Sequence, residues 1–185
     1  MPRNPLAFVL VGVMSLLAAG GAVLGVLQSP TPDDLTVHNG AGETLAASNV
    51  EGRYSATNLG RDVIAFRYAA PDRVTEVALG PSGAVKARRT LVGPTAVGVL
   101  SPLRQVLAES HFRTLGRTYV SLLPVAAIVP ASQRALVTGT YRTTVDIASG
   151  YVVEVDIAIT ATEAGQHISE RADFRLTRVG SWRRH

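Results

Sequence analysis

The chain contains no cysteine among its 185 residues. That excludes a disulfide framework, a thiolate metal site, a cysteine nucleophile and an anchor built on a lipidated cysteine. Aromatic residues are scarce, with four Phe, five Tyr and one Trp. These are too few for the stacked platforms that hold single-stranded nucleic acid. Charged residues make up only 17% of the chain, and lysine is almost missing: of the 18 basic residues only Lys86 is not arginine. The arginines are interleaved with acids and form no basic stripe, so the net charge of +4 does not point to a nucleic-acid partner. Hydrophobic residues reach 46%, the composition of a folded chain and not of a disordered one.

What the chain does have is an uncharged run from Pro5 to Leu27. As a helix it would be about 35 Å long at 1.5 Å per residue, enough to cross a hydrocarbon layer of about 30 Å. Arg3 precedes it, and Asp33 and Asp34 follow. The positive-inside rule then leaves the N-terminus in the cytoplasm and the rest outside. Two readings compete. In one, residues 1–27 are an uncleaved signal anchor with a single transmembrane helix. In the other, a signal peptide is cleaved near Ala18-Ala19-Gly20-Gly21 and the protein is secreted. Apolar character continues through Val23, Leu24, Val26 and Leu27, which favours the anchor and a cell-membrane location. Residues 28–34 read as a polar, proline-containing linker, and residues 35–182 as an extracytoplasmic β-rich domain.

Within that domain, β-favouring segments surround Tyr54, Val63, Ile64, Phe66 and Tyr68. A hairpin is expected around Gly80-Pro81-Ser82-Gly83, between Val74–Leu79 and Val85–Val92. One helix is signalled, from a Ser101 cap and Pro102 to about Ser110, with Leu103, Val106 and Leu107 on one face. Pro94 and Gly98 are expected to keep the preceding stretch from joining it. Tyr119 to Leu123 reads as a strand ended by Pro124, followed by an apolar connection, Val125 to Val129.

Register can be derived in the last third. A three-residue loop, Ala148-Ser149-Gly150, pairs Val145 with Val153 and Tyr141 with Ile157, apolar face to apolar face. A two-residue turn at Ala148-Ser149 would oppose apolar to polar. The next turn, Ala164-Gly165, pairs Val153 with Leu176, Val155 with Phe174 and Ile157 with Ala172. The other face then sets Glu154 against Arg175 and Asp156 between Arg142 and Asp173. The fold class is mainly β (α+β): a curved antiparallel sheet or half-barrel with one short helix, plus the N-terminal transmembrane helix.

No constellation for catalysis emerges, and the chain reads as a non-enzyme without cofactor or metal. Glu154 and Asp156 share a strand face, but arginine neighbours make them solvated ion pairs instead of an acid–base couple. His38, His111, His167 and His185 lack metal-ligand spacing. Gly80-Pro81-Ser82-Gly83 lacks the spacing of a nucleophile elbow.

The order of export segment, antiparallel strands, helix and terminal meander resembles the extracytoplasmic lipoprotein-carrier (LolA-like) family and its actinobacterial lipid-binding lipoprotein relatives. The resemblance is carried by Phe66-Arg67-Tyr68-Ala69-Ala70-Pro71-Asp72-Arg73-Val74, a strand–Pro–strand corner, and spans roughly residues 44–179. It implies a curved sheet whose helices cover an apolar cavity that carries acyl chains. The lipidated cysteine of the actinobacterial relatives is missing. The apolar sheet face also needs a cover that a helix of about 15 Å cannot provide alone. The remaining cover can come from sheet curvature, from the connection Val125 to Val129, from a ligand or from a partner. Two readings compete: the sheet closes tightly on its own side chains, which is favoured, or a partly open groove lined by residues such as Phe66, Val155 and Phe174 runs between helix and sheet, roomy enough for tryptophan at position 155. The wider set of ligand-lining candidates is Phe66, Tyr68, Tyr141, Val145, Val153, Val155, Ile157, Phe174 and Leu176. The expected partners are the membrane, through the N-terminal helix, and a lipid or other hydrophobic ligand. The alternative is an accessory or scaffold β-domain that meets another cell-envelope protein and binds no small molecule.

Overall fold

The computed structural model describes residues 29–129, 132, 134–163 and 165–184. The expected transmembrane span, residues 5–27, lies outside them. Among the described residues no helix is long and apolar enough to cross a membrane.

The first element corrects the sequence reading. Residues 32–34, assigned to a linker, form the first turn of a helix, α1 (Pro32–Ala46). Its start is set by a capping box: the Asp34 N–H donates to the Thr31 hydroxyl at 3.1 Å, and the Thr31 N–H donates to the Asp34 carboxylate at 3.0 Å. Pro32 occupies the first turn, where its missing N–H costs nothing. The buried stripe is Asp34, Val37, Gly40, Ala41 and Thr44. The spacing is helical, but only Val37 is a large apolar residue, so the segment carries little hydrophobic periodicity to read. Thr44 anchors the helix to the sheet, accepting the Val152 N–H at 2.9 Å. At the other end, Asp34 accepts the Phe112 N–H and Asp33 accepts the Thr114 N–H, both at 2.8 Å.

Ten strands make one antiparallel sheet: β1 (Asn49–Ala56), β2 (Val63–Ala69), β3 (Arg73–Leu79), β4 (Val85–Val92), β5 (Arg113–Leu115), β6 (Thr118–Pro124), β7 (Val137–Ala148), β8 (Tyr151–Glu163), β9 (Gln166–Val179) and β10 (Trp182–Arg183). The order is β4-β3-β2-β1-β9-β8-β7-β6-β5, with β10 folded back on β9. Two meanders thus meet at the β1–β9 pair, and β4 and β5 are opposite edges. The chain between them must cross the whole sheet, which is why helices lie over its inner face.

That crossing holds a second correction. The expected single short helix is one part of a longer helical run: α2 (Pro94–Val97), a 3₁₀ turn (Gly98–Leu100) and α3 (Ser101–Ala108). Ser101 does not cap anything; it continues a helical trace with φ −54° and ψ −35°. Gly98 is helical as well, at φ −60° and ψ −26°. Glycine lowers helix propensity without forbidding the conformation, and Pro94 sits at a start, where it is tolerated. Ala96, Val99, Leu100, Leu103 and Val106 are buried under the run, whereas Leu107, expected on the same face, is 39% exposed. The apolar connection forms a helical turn, α4 (Val125–Ile128), with Val125 buried.

The β8–β9 register agrees with expectation: Val155 faces Phe174, Ile157 faces Ala172, Glu154 faces Arg175 and Asp156 faces Asp173. The β7–β8 register does not. Val145 faces Val155 and Tyr141 faces Ile159, two residues beyond the expected partners, and Asp156 faces Thr144 instead of Arg142. The turn is Ser149-Gly150, both at positive φ (52° and 81°), the geometry of a tight hairpin. Such a turn alone would oppose apolar to polar. An irregularity between Asp146 and Ile147, which leaves Val153 without a β7 partner, restores the match as a bulge does. The requirement that apolar faces meet is obeyed by turn plus bulge instead of by a longer loop.

On the inner face, the Phe66 and Phe174 rings stack at 5.4 Å with planes 15° apart, although β1 lies between their strands. Gly52 of β1 allows this: a Cβ there would stand 2.9 Å from the Leu176 side chain and 3.1 Å from Phe66. The outer face of β8 and β9 is charged. Arg175 pairs with Glu154 at 3.2 Å and Asp173 at 2.9 Å, and Arg171 pairs with Asp156 at 2.7 Å. Surface pairs of this kind contribute little. Glu154→Gln and Asp156→Asn should each change stability by less than about 1 kcal/mol in urea unfolding; a larger loss would show that these pairs do more than surface pairs do.

Candidate functional site: a cleft under the helical run

The sheet and the helical run separate over one region. Ala56 of β1 lies directly opposite Ala172 of β9, and both line the space beneath Val99, Ser101 and Pro102. Two methyl groups cannot fill the distance between a sheet and a helix, and a cleft of about 470 Å³ results. Its floor is apolar: Val155, Ile157 and Ile159 from β8, and Phe174 from β9. Leu59 and Leu91 add apolar wall.

The other end of the cleft is polar. Glu76 and Arg89 face each other across β3 and β4, on the face that carries Phe66. The Arg89 Nε–H donates to Glu76 at 2.6 Å; the Glu76 side chain is 7% exposed and the Arg89 side chain 65%. Tyr54 lines the same end. Burial, and then the Glu76 charge, hold its phenol above the ordinary value.

Of the candidates read from the sequence, Val155, Ile157 and Phe174 border the cleft from within the packed core, being 0%, 3% and 2% exposed. Phe66, Tyr68, Tyr141, Val145 and Leu176 belong to the packed core, and Val153 is buried at the bulge. Tyr68 is tied to the β2–β3 corner by donating its hydroxyl to the Pro71 carbonyl at 2.7 Å. Tyr54, Ala56, Glu76, Arg89 and Ala172 were not singled out by sequence. The alternation of Val74, Glu76 and Ala78 along one strand places Glu76 on the core face, and that was the one available signal.

A second buried polar cluster lies at the far end of α3. Glu109, 6% exposed, accepts hydrogen bonds through Oε1 from the Tyr141 hydroxyl at 2.8 Å and the Thr143 hydroxyl at 2.9 Å. Oε2 is buried without a partner. Burial pushes the carboxyl up to about 7, against the lowering effect of hydrogen bonds from Tyr141, Thr143 and Ser121. Among the described residues no cation pairs with it. The Glu109 carbonyl, separately, accepts from His38 Nε2 at 2.7 Å. Nothing in the sequence marked Glu109, because its partners arrive from β7.

No protein-family model matches the chain, and no curated protein matches it. Among the described residues no three His, Asp or Glu side chains group as a metal site. The cleft combines an apolar middle with the Glu76–Arg89 ion pair, the Tyr54 phenol and the Glu170 carboxylate.

Proposed function

We propose that this is a membrane-anchored, non-catalytic extracytoplasmic protein that binds or carries a hydrophobic, lipid-like molecule. The observation that carries the reading is the cleft of about 470 Å³ bordered by Ala56, Leu59, Leu91 and Ala172. A close-packed domain leaves few voids larger than a water molecule, and this volume falls in the range of ligand sites, about 300–1,000 Å³. The apolar run at residues 5–27 supports single-pass anchoring with the domain outside the cytoplasm.

The alternative reading, an accessory β-domain of an envelope complex, draws on the unpaired edges β4 and β5 and on Leu115 and Leu122, each 61% exposed. Free edges are sites where another chain can add a strand. Mass spectrometry of organic extracts from natively purified protein separates the two. A lipid recovered in stoichiometric amount supports the carrier. No bound lipid, together with a stable co-purifying envelope protein, supports the accessory domain.

A further inference from the structure

We infer that the cleft takes a single-chain anionic amphiphile, with its acidic head on Arg89 and its chain laid over Ala56 and Ala172, beside Leu59 and Leu91. The inference rests on the ligand-binding reading above and narrows it.

The first support is how polarity is distributed. The floor from β8 and β9 is apolar, while the β3–β4 end presents Arg89, Glu76 and Tyr54. An apolar slot with a guanidinium at one end and the Glu170 carboxylate on its β9 side gives an acidic head one favourable place.

The second is the state of Arg89. Its partner Glu76 is sunk beneath it, and the guanidinium is the exposed member of the pair. Glu76 engages Nε, and among the described residues no second carboxylate pairs with Arg89. A guanidinium carries five donors in a planar fork and binds carboxylate or phosphate through two of them at once. Glu170 lines the cleft as well, from β9. It repels an acidic head, so it favours the orientation with the head at Arg89. Arg171 and Asp173 are spent on the outer face, with Asp156 and Arg175.

The third is size. A volume of about 470 Å³ sits in the lower half of the range for ligand pockets, about 300–1,000 Å³. A single chain fits within it.

The test uses the full chain in phosphatidylcholine nanodiscs at pH 8, with empty discs as the blank. The probes are a fluorescent polyene fatty acid and its methyl ester, which share the chain and differ in the charge of the head. The acid should bind about tenfold tighter than the ester, as expected for one charge-assisted contact. Arg89→Lys should lose part of that preference. Arg89→Gln should lose all of it but leaves Glu76 buried without a partner. The double variant Glu76→Gln/Arg89→Gln removes that problem and should also bind both probes alike. Equal binding of acid and ester by the wild type, or a preference that survives in the double variant, overturns the inference while the cleft remains a lipid site. Failure of both probes to bind the wild type removes the carrier reading itself.

Discussion

Glu109→Gln is expected to stabilise the domain by about 2 kcal/mol at pH 8 and to leave its stability nearly unchanged at pH 5. The wild-type carboxyl is pushed up to about 7 in the folded state, against 4.5 as its ordinary value. Between those values the folded protein holds a proton that the unfolded chain has released. Stability therefore falls as pH rises through this window, and the full cost is present above about 7. A separation of this size corresponds to about 3 kcal/mol. Glutamine keeps the oxygen that accepts from Tyr141 and Thr143 and carries no charge to desolvate. Its amide nitrogen falls where Oε2 has no partner, which offsets part of the gain. Urea unfolding of both proteins at the two pH values measures the difference. An equal shift at pH 5 and pH 8 would show that Glu109 does not titrate in this range.

The reasons why parts of the architecture were legible and others were not are local. Strands β8 and β9 alternate cleanly, and their two-residue turn leaves one register that matches apolar faces, so the pairing of Val155 with Phe174 could be read directly. At β7–β8 the same matching rule had two solutions, a three-residue loop or a tight turn followed by a bulge. Sequence parity does not distinguish them, and the φ values of Ser149 and Gly150 do. Helix α1 escaped because its buried stripe is built from Gly40, Ala41 and Thr44, small residues that fit against β8 but carry almost no hydrophobic signal. Its capping box, Thr31 and Asp34, was in plain view but was read as part of a linker. The helical run was cut at Ser101 because Pro94 and Gly98 were weighed as breakers, although neither residue excludes the backbone it adopts. The cleft was partly legible. The length of the apolar face left two readings, a tightly closed sheet and a groove, and Val155 and Phe174, offered as groove lining, are buried in the core that borders the cleft. Its cause, Ala56 opposite Ala172, depends on the β1–β9 pairing, which joins the two meanders and leaves no trace in local sequence.

The same pair of alanines supplies the sharpest test of whether the cleft is open in solution. Ala172→Phe should place a ring in the cleft and reduce binding of the fatty-acid probe more than about tenfold, a loss of roughly 1.4 kcal/mol or more. Ala172 is half-buried and borders empty volume, so the melting temperature should move by only a few degrees, as for a change of about 1 kcal/mol or less. Val155→Trp provides the contrast. Tryptophan at that position was expected from sequence to fit a groove, but Val155 is 0% exposed. It faces Val145 on one side and Phe174 on the other, so the indole must displace packed core. Overpacking of this kind costs about 1–3 kcal/mol and occasionally more, and Val155→Trp should lie at the upper end. Thermal unfolding and probe titration on the two variants give four numbers with a distinct expected pattern: Ala172→Phe folded and non-binding, Val155→Trp strongly destabilised. If Ala172→Phe is destabilised as much as Val155→Trp, the helical run is closed onto the sheet and no cleft exists in solution. If Ala172→Phe is stable and still binds the probe, the ligand lies elsewhere on the domain, because a phenyl ring above Ala172 and a chain over Ala56 and Ala172 compete for the same volume.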